Sequence, residues 1–197
     1  DSLTLSATDL EISIEKTIAA DVKIAGDVVV PGKFFADFVK KLSNEQIELS
    51  LTDQNTLKIK YTDSEGYLQC MNADEFPVIK ELSAPEKLTV KRTDLKELID
   101  KTIFSVAVDD ARPILKGCLF EIENGLVTAV ALDGYRLAMV KVPATCSSNK
   151  MSFIIPARSL GEISKLLDGN EEFVDVMIGA SHMLIADGSI KIITRLL

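Results

Sequence analysis

The sequence of 197 residues contains no tryptophan, one histidine and three cysteines. It also lacks a run of about 18 apolar residues, which argues against a membrane-spanning helix. Its first residues, DSLTLSATD, have neither the basic nor the apolar region of a secretory signal. The odd number and scattered positions of the cysteines predict free thiols, as expected in a reducing cytoplasm. No glycine-rich phosphate-binding loop is present, which argues against a Rossmann or P-loop nucleotide site.

Acidic side chains outnumber basic ones, 30 to 22, and give a formal net charge of −8. This charge argues against indiscriminate coating of nucleic acid, because such binding depends on neutralising phosphates. A negative net charge does not exclude a local basic surface that binds nucleic acid. With 47% hydrophobic and 26% charged residues, the chain has enough apolar material for a packed core, which excludes a disordered protein.

An internal repeat organises the chain. The segment VVVPGKFFADFVKKL at Val28–Leu42 resembles FIIPARSLGEISKLL at Phe153–Leu167, with the two prolines 125 positions apart. Two further pairs follow the same order at nearly the same spacing: segments around Asp9 and Asp133, and strands beginning at Ile47 and Val174. Three matches in the same order at nearly the same offset predict two copies of a single domain.

The predicted boundary between the copies lies near Pro85, which gives a first domain at 1–83 and a second at 84–197. The second copy opens with a helix at Thr93–Phe104, in which Thr93 is a possible cap, and a strand from Gly117. The first copy lacks both, so we expect a piece of a longer chain, truncated at its N-terminus.

The predicted fold class is α+β, with meanders of antiparallel strands and few helices. Alternating and β-branched segments, such as Leu126–Leu132, indicate the strands. Besides the helix at Thr93–Phe104, amphipathic patterns predict helices at Gly32–Leu42 and Ala157–Leu167. The predicted buried residues of these two helices are Phe34, Phe35, Phe38 and Leu42 in the first, and Leu160, Ile163 and Leu167 in the second.

No pattern in the sequence indicates catalysis, and no metal or cofactor is expected. His182 has no nucleophile motif beside it and is interpreted as a surface turn residue. The acidic clusters Asp63–Glu65, Asp74–Glu75 and Asp109–Asp110 lack a recurring ligand spacing and are interpreted as solvated loops. Asp9 and Asp133 occupy equivalent repeat positions, which would suit a catalytic pair, but they are interpreted as turn residues, because an Asp-Gly pair such as 133–134 is typical of a tight hairpin turn.

Several motifs resemble one protein family. In the second copy these are FSVAVDDARPILKGCLFE at Phe104–Glu121, LDGYRLAMV at Leu132–Val140 and IIPARSLGEISKLL at Ile154–Leu167. In the first copy they are ATDLEISIE, VPGKFFADFVKKL and ADEFP. Together they resemble the beta subunit of bacterial DNA polymerase III, the sliding clamp, over essentially the whole chain and in the same order.

The resemblance implies the DNA-clamp fold, in which repeated domains carry antiparallel β-sheets with two helices on one face. It implies a cytoplasmic, non-catalytic processivity factor, three domains per chain, and a head-to-tail homodimeric ring around double-stranded DNA. The third domain would be absent here. The implied partners are DNA, bound without sequence preference, the polymerase III catalytic subunit, the clamp loader and other clamp-motif proteins.

The resemblance also implies two sets of site residues. The positions that match the family's partner-peptide pocket are Arg112, Leu115, Leu132, Gly134, Tyr135, Arg136 and Leu137. Tyr135 stands where many members carry His, and Leu132 where many carry Thr. Basic residues on the outward helix faces are the candidates for contact with DNA: Lys33, Lys40, Lys41, Arg92, Lys96, Lys101, Arg158 and Lys165.

Two alternatives remain open at the level of sequence. A cytosolic hydrolase or transferase could use an unrecognised carboxylate or metal site, and activity that depends on Asp109, Asp110 or a divalent ion would favour it. A partial peptide-binding module could act without DNA, and salt-independent peptide binding without duplex affinity would favour that interpretation.

Overall fold

The computed structural model describes residues 1–42, 46–62, 64–77, 82–109, 112–168 and 172–197. The described residues form thirteen strands, all paired antiparallel, and three α-helices, which confirms the α+β class. The helices are α1 (Gly32–Val39), α2 (Arg92–Asp100) and α3 (Ala157–Leu166). Three short 3-10 turns lie at Ala73–Glu75, Ile103–Ser105 and Pro113–Lys116.

The strands follow the predicted alternation closely, and the bounds of β7 and β8 are those that the sequence indicates. Two strands, β6 and β12, were not among the predicted ones. In chain order the strands are β1 (Ser2–Thr8), β2 (Ile12–Ala19), β3 (Ile47–Leu51), β4 (Thr56–Tyr61), β5 (Ser64–Gln69), β6 (Glu86–Lys91), β7 (Gly117–Glu123), β8 (Leu126–Leu132), β9 (Leu137–Cys146), β10 (Lys150–Pro156), β11 (Phe173–Ile178), β12 (His182–Asp187) and β13 (Ile190–Arg195).

The chain divides into two compact units, of which the smaller comprises Asp1 and residues 20–78. Its sheet has the order β3-β4-β5, and its buried core is Leu57, Ile59 and Cys70. Phe35 and Phe38 of α1 pack against this core, as predicted. The prediction for Phe34 is wrong, since this side chain is 68% exposed. Because the core of this unit has only three buried residues, it covers only part of the apolar face of α1 and leaves Phe34 outside.

The larger unit comprises residues 2–19 and 79–197 and contains a ten-stranded sheet. The strand order is β1-β2-β13-β12-β11-β6-β9-β8-β7-β10. Both α2 and α3 bury apolar residues in the core of this unit, among them Leu98 on α2 and Leu160 and Ile163 on α3. These helix residues pack with inward strand residues such as Leu88 and Phe120. The alternation of the strands therefore produces one apolar face that the helices cover.

The N-terminal hairpin β1–β2 belongs to the larger unit, because β2 pairs with β13 from Ile190↔Lys16 to Thr194↔Ile12. The two compact units therefore do not coincide with the domains at 1–83 and 84–197. Those domains describe copies of a repeat, whereas the units describe packing. The boundary at 83–84 stays a prediction.

The second helix differs from its prediction at both ends. It ends at Asp100, and Phe104 lies in the separate 3-10 turn Ile103–Ser105. Thr93 is not the cap, because α2 starts at Arg92 and the N-cap residue is Lys91. The Thr93 hydroxyl instead donates a hydrogen bond to Asp94 Oδ1 at 3.2 Å.

Candidate functional site

The residues predicted to bind a partner peptide come from two segments that meet on one surface of the larger unit. In the first segment, Leu115 N–H donates to the carbonyl oxygen of Arg112 at 3.0 Å and so closes a tight turn. The guanidinium of Arg112 lies against the second segment, since its Nη2 is 3.2 Å from the position that a Cβ on Gly134 would occupy. A side chain at position 134 would press on this arginine.

The second segment is the hairpin between β8 and β9, where Leu132 pairs with Leu137. Asp133 organises the turn, because its Oδ1 accepts hydrogen bonds from the N–H groups of Tyr135 and Arg136 at 2.9 and 3.0 Å. These backbone bonds, together with Arg136, lower the pKa of the Asp133 carboxyl. Gly134 has φ +96°, a left-handed conformation that glycine adopts without strain.

The equivalent turn of the first repeat copy has the same construction. Oδ1 of Asp9 accepts hydrogen bonds from the N–H groups of Glu11 and Ile12, both at 3.0 Å, and Leu10 has φ +77°. The backbone bond from Ile12 is the largest cause of a lowered pKa at Asp9, and Arg158 adds to it. The interpretation of Asp9 and Asp133 as turn residues is confirmed.

The tip of the β8–β9 hairpin presents its side chains to solvent. Tyr135 is fully exposed, Leu137 is 62% exposed, and the side chain of Arg136 is 58% exposed. Arg136 Nε donates to Asp133 Oδ2 at 2.9 Å. Its guanidinium carbon also lies 5.7 Å from the ring centroid of Phe104, which was not among the predicted site residues. Apolar side chains flanked by two arginines suit a peptide with both apolar and acceptor groups.

The basic candidates on α1 and just after it belong to the smaller unit. Lys33, Lys40 and Lys41 are all exposed, as predicted. Within the described part of the chain, none of the three lies within 4.0 Å of a carboxylate. Their charges are therefore available to an anion without first breaking an ion pair among those residues.

The candidates on α2 and α3 differ, because each already faces a carboxylate. On α2, Lys96 pairs with Asp168 and Lys101 with Glu97, both at 2.5 Å. On α3 the pairs are Arg158–Asp9 at 2.6 Å and Lys165–Glu162 at 2.8 Å. All four side chains keep substantial exposure, so a phosphate could compete with these carboxylates for them.

Arg92 is a correction to the predicted set of DNA-facing residues. It is only 4% exposed, and its Nη1 and Nη2 donate to Oδ2 and Oδ1 of Asp187 at 3.0 and 3.1 Å. Nη1 also donates to the carbonyl oxygen of Leu166 at 3.2 Å. A guanidinium that is buried and paired in this way cannot present its charge to DNA. Its position at the start of α2 places it on the side that faces the core.

His182 and the described residues of the acidic clusters considered above as catalytic or metal-binding candidates lie in strands and turns. His182 is not a turn residue, because it is the first residue of β12 and pairs with Arg195. Asp74 donates its backbone N–H to the Asn72 side chain in a short turn, and Glu65 pairs with Lys58 at 2.7 Å. Asp63 and Asp110 lie outside the described residues.

Cys70, Cys118 and Cys146 are unpaired. Among the described residues, no group of three or more His, Cys, Asp or Glu side chains could hold a metal ion. None of the helices in that part of the chain is long and apolar enough to cross a membrane.

Comparison with known proteins gives one consistent result along the chain. The family model for the N-terminal domain of the DNA polymerase III beta subunit matches residues 1–80, and the model for its central domain matches residues 89–197. The chain is 35% identical to the beta sliding clamp of Halalkalibacterium halodurans, over 100% of its own length and 55% of that protein. It is 32% identical to the one from Staphylococcus epidermidis, over 98% of itself and 53% of that protein.

Solved structures agree. The crystal structure of the DNA polymerase III subunit beta from Pseudomonas aeruginosa is 29% identical, with a TM-score of 0.92 over 100% of this chain and 55% of that one. The sliding clamp of Bacillus subtilis is 29% identical, with a TM-score of 0.89 over 100% and 54%. The chain spans about half the length of the relatives it matches. The resemblance seen in the motifs is confirmed, and the chain belongs to the family of DNA polymerase III beta subunits.

Proposed function

We propose that this chain is part of a sliding clamp, a non-catalytic processivity factor of a replicative DNA polymerase. In this proposal the complete protein forms a head-to-tail homodimeric ring in the cytoplasm and encircles duplex DNA without reading its sequence. A heterologous interface that closes after a fixed rotation produces such a ring. The polymerase, the clamp loader and other partners bind through short peptides on the larger unit.

One observation carries the partner-binding part of the proposal. Two segments that are separate in sequence, Arg112–Leu115 and Leu132–Leu137, meet where Arg112 lies against Gly134. Both segments contain residues that match the family's pocket positions, so their meeting supports a shared role. The exposed Leu137 supplies apolar area, and Arg112 and Arg136 supply donors for the carbonyl or carboxylate oxygens of a bound peptide.

The DNA-binding part of the proposal now uses seven basic residues, since Arg92 is buried. A clamp must attract phosphates without holding them, because tight or base-specific contacts would stop its movement along DNA. Side chains that exchange between a phosphate and a neighbouring carboxylate satisfy this requirement. We expect the three lysines of the smaller unit, which have no ion pair among the residues that the structure describes, to contribute more to DNA affinity than the paired residues Lys96, Lys101, Arg158 and Lys165.

Titration calorimetry with a short peptide that carries a Gln-x-x-Leu-Phe motif tests the partner surface. We expect Arg136→Ala and Leu137→Ala each to weaken binding by roughly 1–3 kcal/mol if these side chains are anchors. Leu126→Ala is the matched control, because Leu126 is an exposed leucine at the other end of the same hairpin strands. Equal effects of Leu137→Ala and Leu126→Ala would overturn the assignment of the surface.

Charge reversal in the full-length protein tests the DNA-binding surface. Lys40→Glu together with Lys41→Glu should reduce the number of clamps loaded on DNA. It should also make the plot of log K for DNA against log salt concentration less steep, by a slope of roughly 0.9 for each lost phosphate contact. The control reverses Lys87 and Lys150, two exposed strand lysines, with the same change in net charge. Peptide binding that persists while all variants and the wild type lack duplex affinity would instead favour a peptide-binding module.

A further inference from the structure

Phe104 is a partly exposed aromatic side chain beside Arg136 of the β8–β9 hairpin. It lies in the 3-10 turn Ile103–Ser105, where Ser105 is buried, yet its own side chain is 56% exposed. Single exposed apolar side chains are common on protein surfaces, so a role for Phe104 has to be argued from its neighbours. The guanidinium of Arg136 lies over the ring, with its central carbon 5.7 Å from the ring centroid.

Arg136 is therefore held from two sides. Its Nε donates to Asp133 Oδ2 at 2.9 Å, and Asp133 is itself fixed by backbone hydrogen bonds in the hairpin turn. On the other side, the ring of Phe104 lies within cation–π distance of the guanidinium. Within the described part of the chain no partner is found for either Nη atom of Arg136, although the side chain is more than half exposed.

An exposed ion pair alone would orient the arginine poorly. Pairs between solvent-exposed groups contribute little, because they must restrict long side chains and are screened by salt. A planar guanidinium that also contacts an aromatic ring has fewer accessible orientations, and its Nη groups remain available to an incoming acceptor. A side chain that is already oriented before binding loses less conformational entropy when the peptide binds, which increases affinity.

We propose that Phe104 is a positioning residue of the partner surface, and that its ring holds Arg136 in the orientation that receives an acceptor oxygen of the bound peptide. This inference rests on the proposed function. Phe104 acts through Arg136 and need not touch the peptide itself. Removing the ring should therefore weaken peptide binding only as long as Arg136 is present.

The first test uses the whole chain without peptide. Heteronuclear NMR follows the Nε–Hε signal of Arg136 in the wild type, in Phe104→Leu and in Phe173→Leu. The last variant is a matched control, because Phe173 is 50% exposed and has Lys91 Nζ at 5.9 Å from its ring centroid. We expect Phe104→Leu alone to shift this signal and to speed its exchange with water. An unchanged signal in Phe104→Leu would overturn the proposal.

The second test is a double-mutant cycle with the Gln-x-x-Leu-Phe peptide. Phe104→Leu should weaken binding about two- to five-fold, the range of an exposed cation–π contact, and should have no effect in an Arg136→Ala background. Phe104→Tyr, which keeps the ring face, should restore wild-type affinity. Additive losses would show that the ring acts independently of Arg136 and would refute the proposal.

The two tests separate failure of the inference from failure of the proposed function. If the wild-type chain does not bind the peptide, the proposed partner surface is wrong, and the NMR signal of Arg136 still decides whether Phe104 orients it. If the wild type binds but the cycle shows no coupling, the surface stands and the positioning role falls. Circular dichroism of each variant verifies that the fold is retained.

Discussion

Replacing Asp187 with alanine tests the structural assignment of Arg92. In the wild type, two hydrogen bonds join the carboxylate of Asp187 to the guanidinium of Arg92 at 3.0 and 3.1 Å. The Arg92 side chain is only 5% exposed and that of Asp187 18%. The substitution therefore removes two hydrogen bonds and a negative charge from a buried guanidinium, and we expect the larger unit to lose stability.

The expected loss follows from the two bonds. Hydrogen bonds to charged groups contribute about 1.5–3 kcal/mol each, and breaking a buried ion pair costs about 3–5 kcal/mol. Two features reduce this cost: water reaches the partly exposed position of Asp187, and Nη1 of Arg92 keeps its bond to the Leu166 carbonyl. We therefore expect the free energy of unfolding to fall by about 2–4 kcal/mol.

Urea unfolding followed by circular dichroism measures this loss, and hydrogen exchange of the amides in α2 and β12 assigns it to the larger unit. Glu123→Ala is the control, because its ion pair with Lys150 is exposed on both sides and should contribute less than about 1 kcal/mol. A loss for Asp187→Ala as small as that of the control would refute the reasoning. So would an Arg92→Met variant that lowers DNA affinity without lowering stability.

Three further predictions concern single positions. Backbone hydrogen bonds from Tyr135 and Arg136 lower the pKa of Asp133 in the folded chain, so its charge stabilises the fold at neutral pH and this contribution disappears on acidification through the folded pKa. Asp133→Asn should therefore reduce stability at pH 7 but not in acid, by urea unfolding at both pH values; equal losses would contradict this. Burial raises the pKa of the Cys118 thiol, so mass spectrometry should find it alkylated more slowly than the less buried Cys146, and the reverse order would contradict its burial. Gly117→Ala should destabilise by about 1–3 kcal/mol, because its Cβ would lie 2.5 Å from the Ile155 carbonyl oxygen, and thermal unfolding without loss would contradict this close approach.

Much of the fold follows from local patterns. Alternation of apolar residues predicted β7 and β8 at their observed bounds, because a strand with one buried face must repeat every second residue. The turns at Asp9 and Asp133 were also predicted, since a short carboxylate can accept hydrogen bonds from backbone N–H groups two and three residues ahead. These features depend on neighbours in sequence.

The errors concern contacts between distant residues. Arg92 was placed on an outward helix face, but its partner Asp187 is 95 residues away and leaves no local pattern. Strand β6 was missed because Pro85 beside it suggested a linker, while its pairing with β9 and β11 arises only in the folded unit. Phe104 escaped notice for the same reason, since only the fold brings Arg136 over its ring.

The central claim is that the two segments Arg112–Leu115 and Leu132–Leu137 form a surface for partner peptides of a sliding clamp. Heteronuclear NMR of this chain, titrated with the Gln-x-x-Leu-Phe peptide to millimolar concentration, tests this claim most directly. We expect the backbone amides whose signals shift most to lie in these two segments. Shifts centred on the sheet of the smaller unit, or no shifts at millimolar peptide, would contradict the claim.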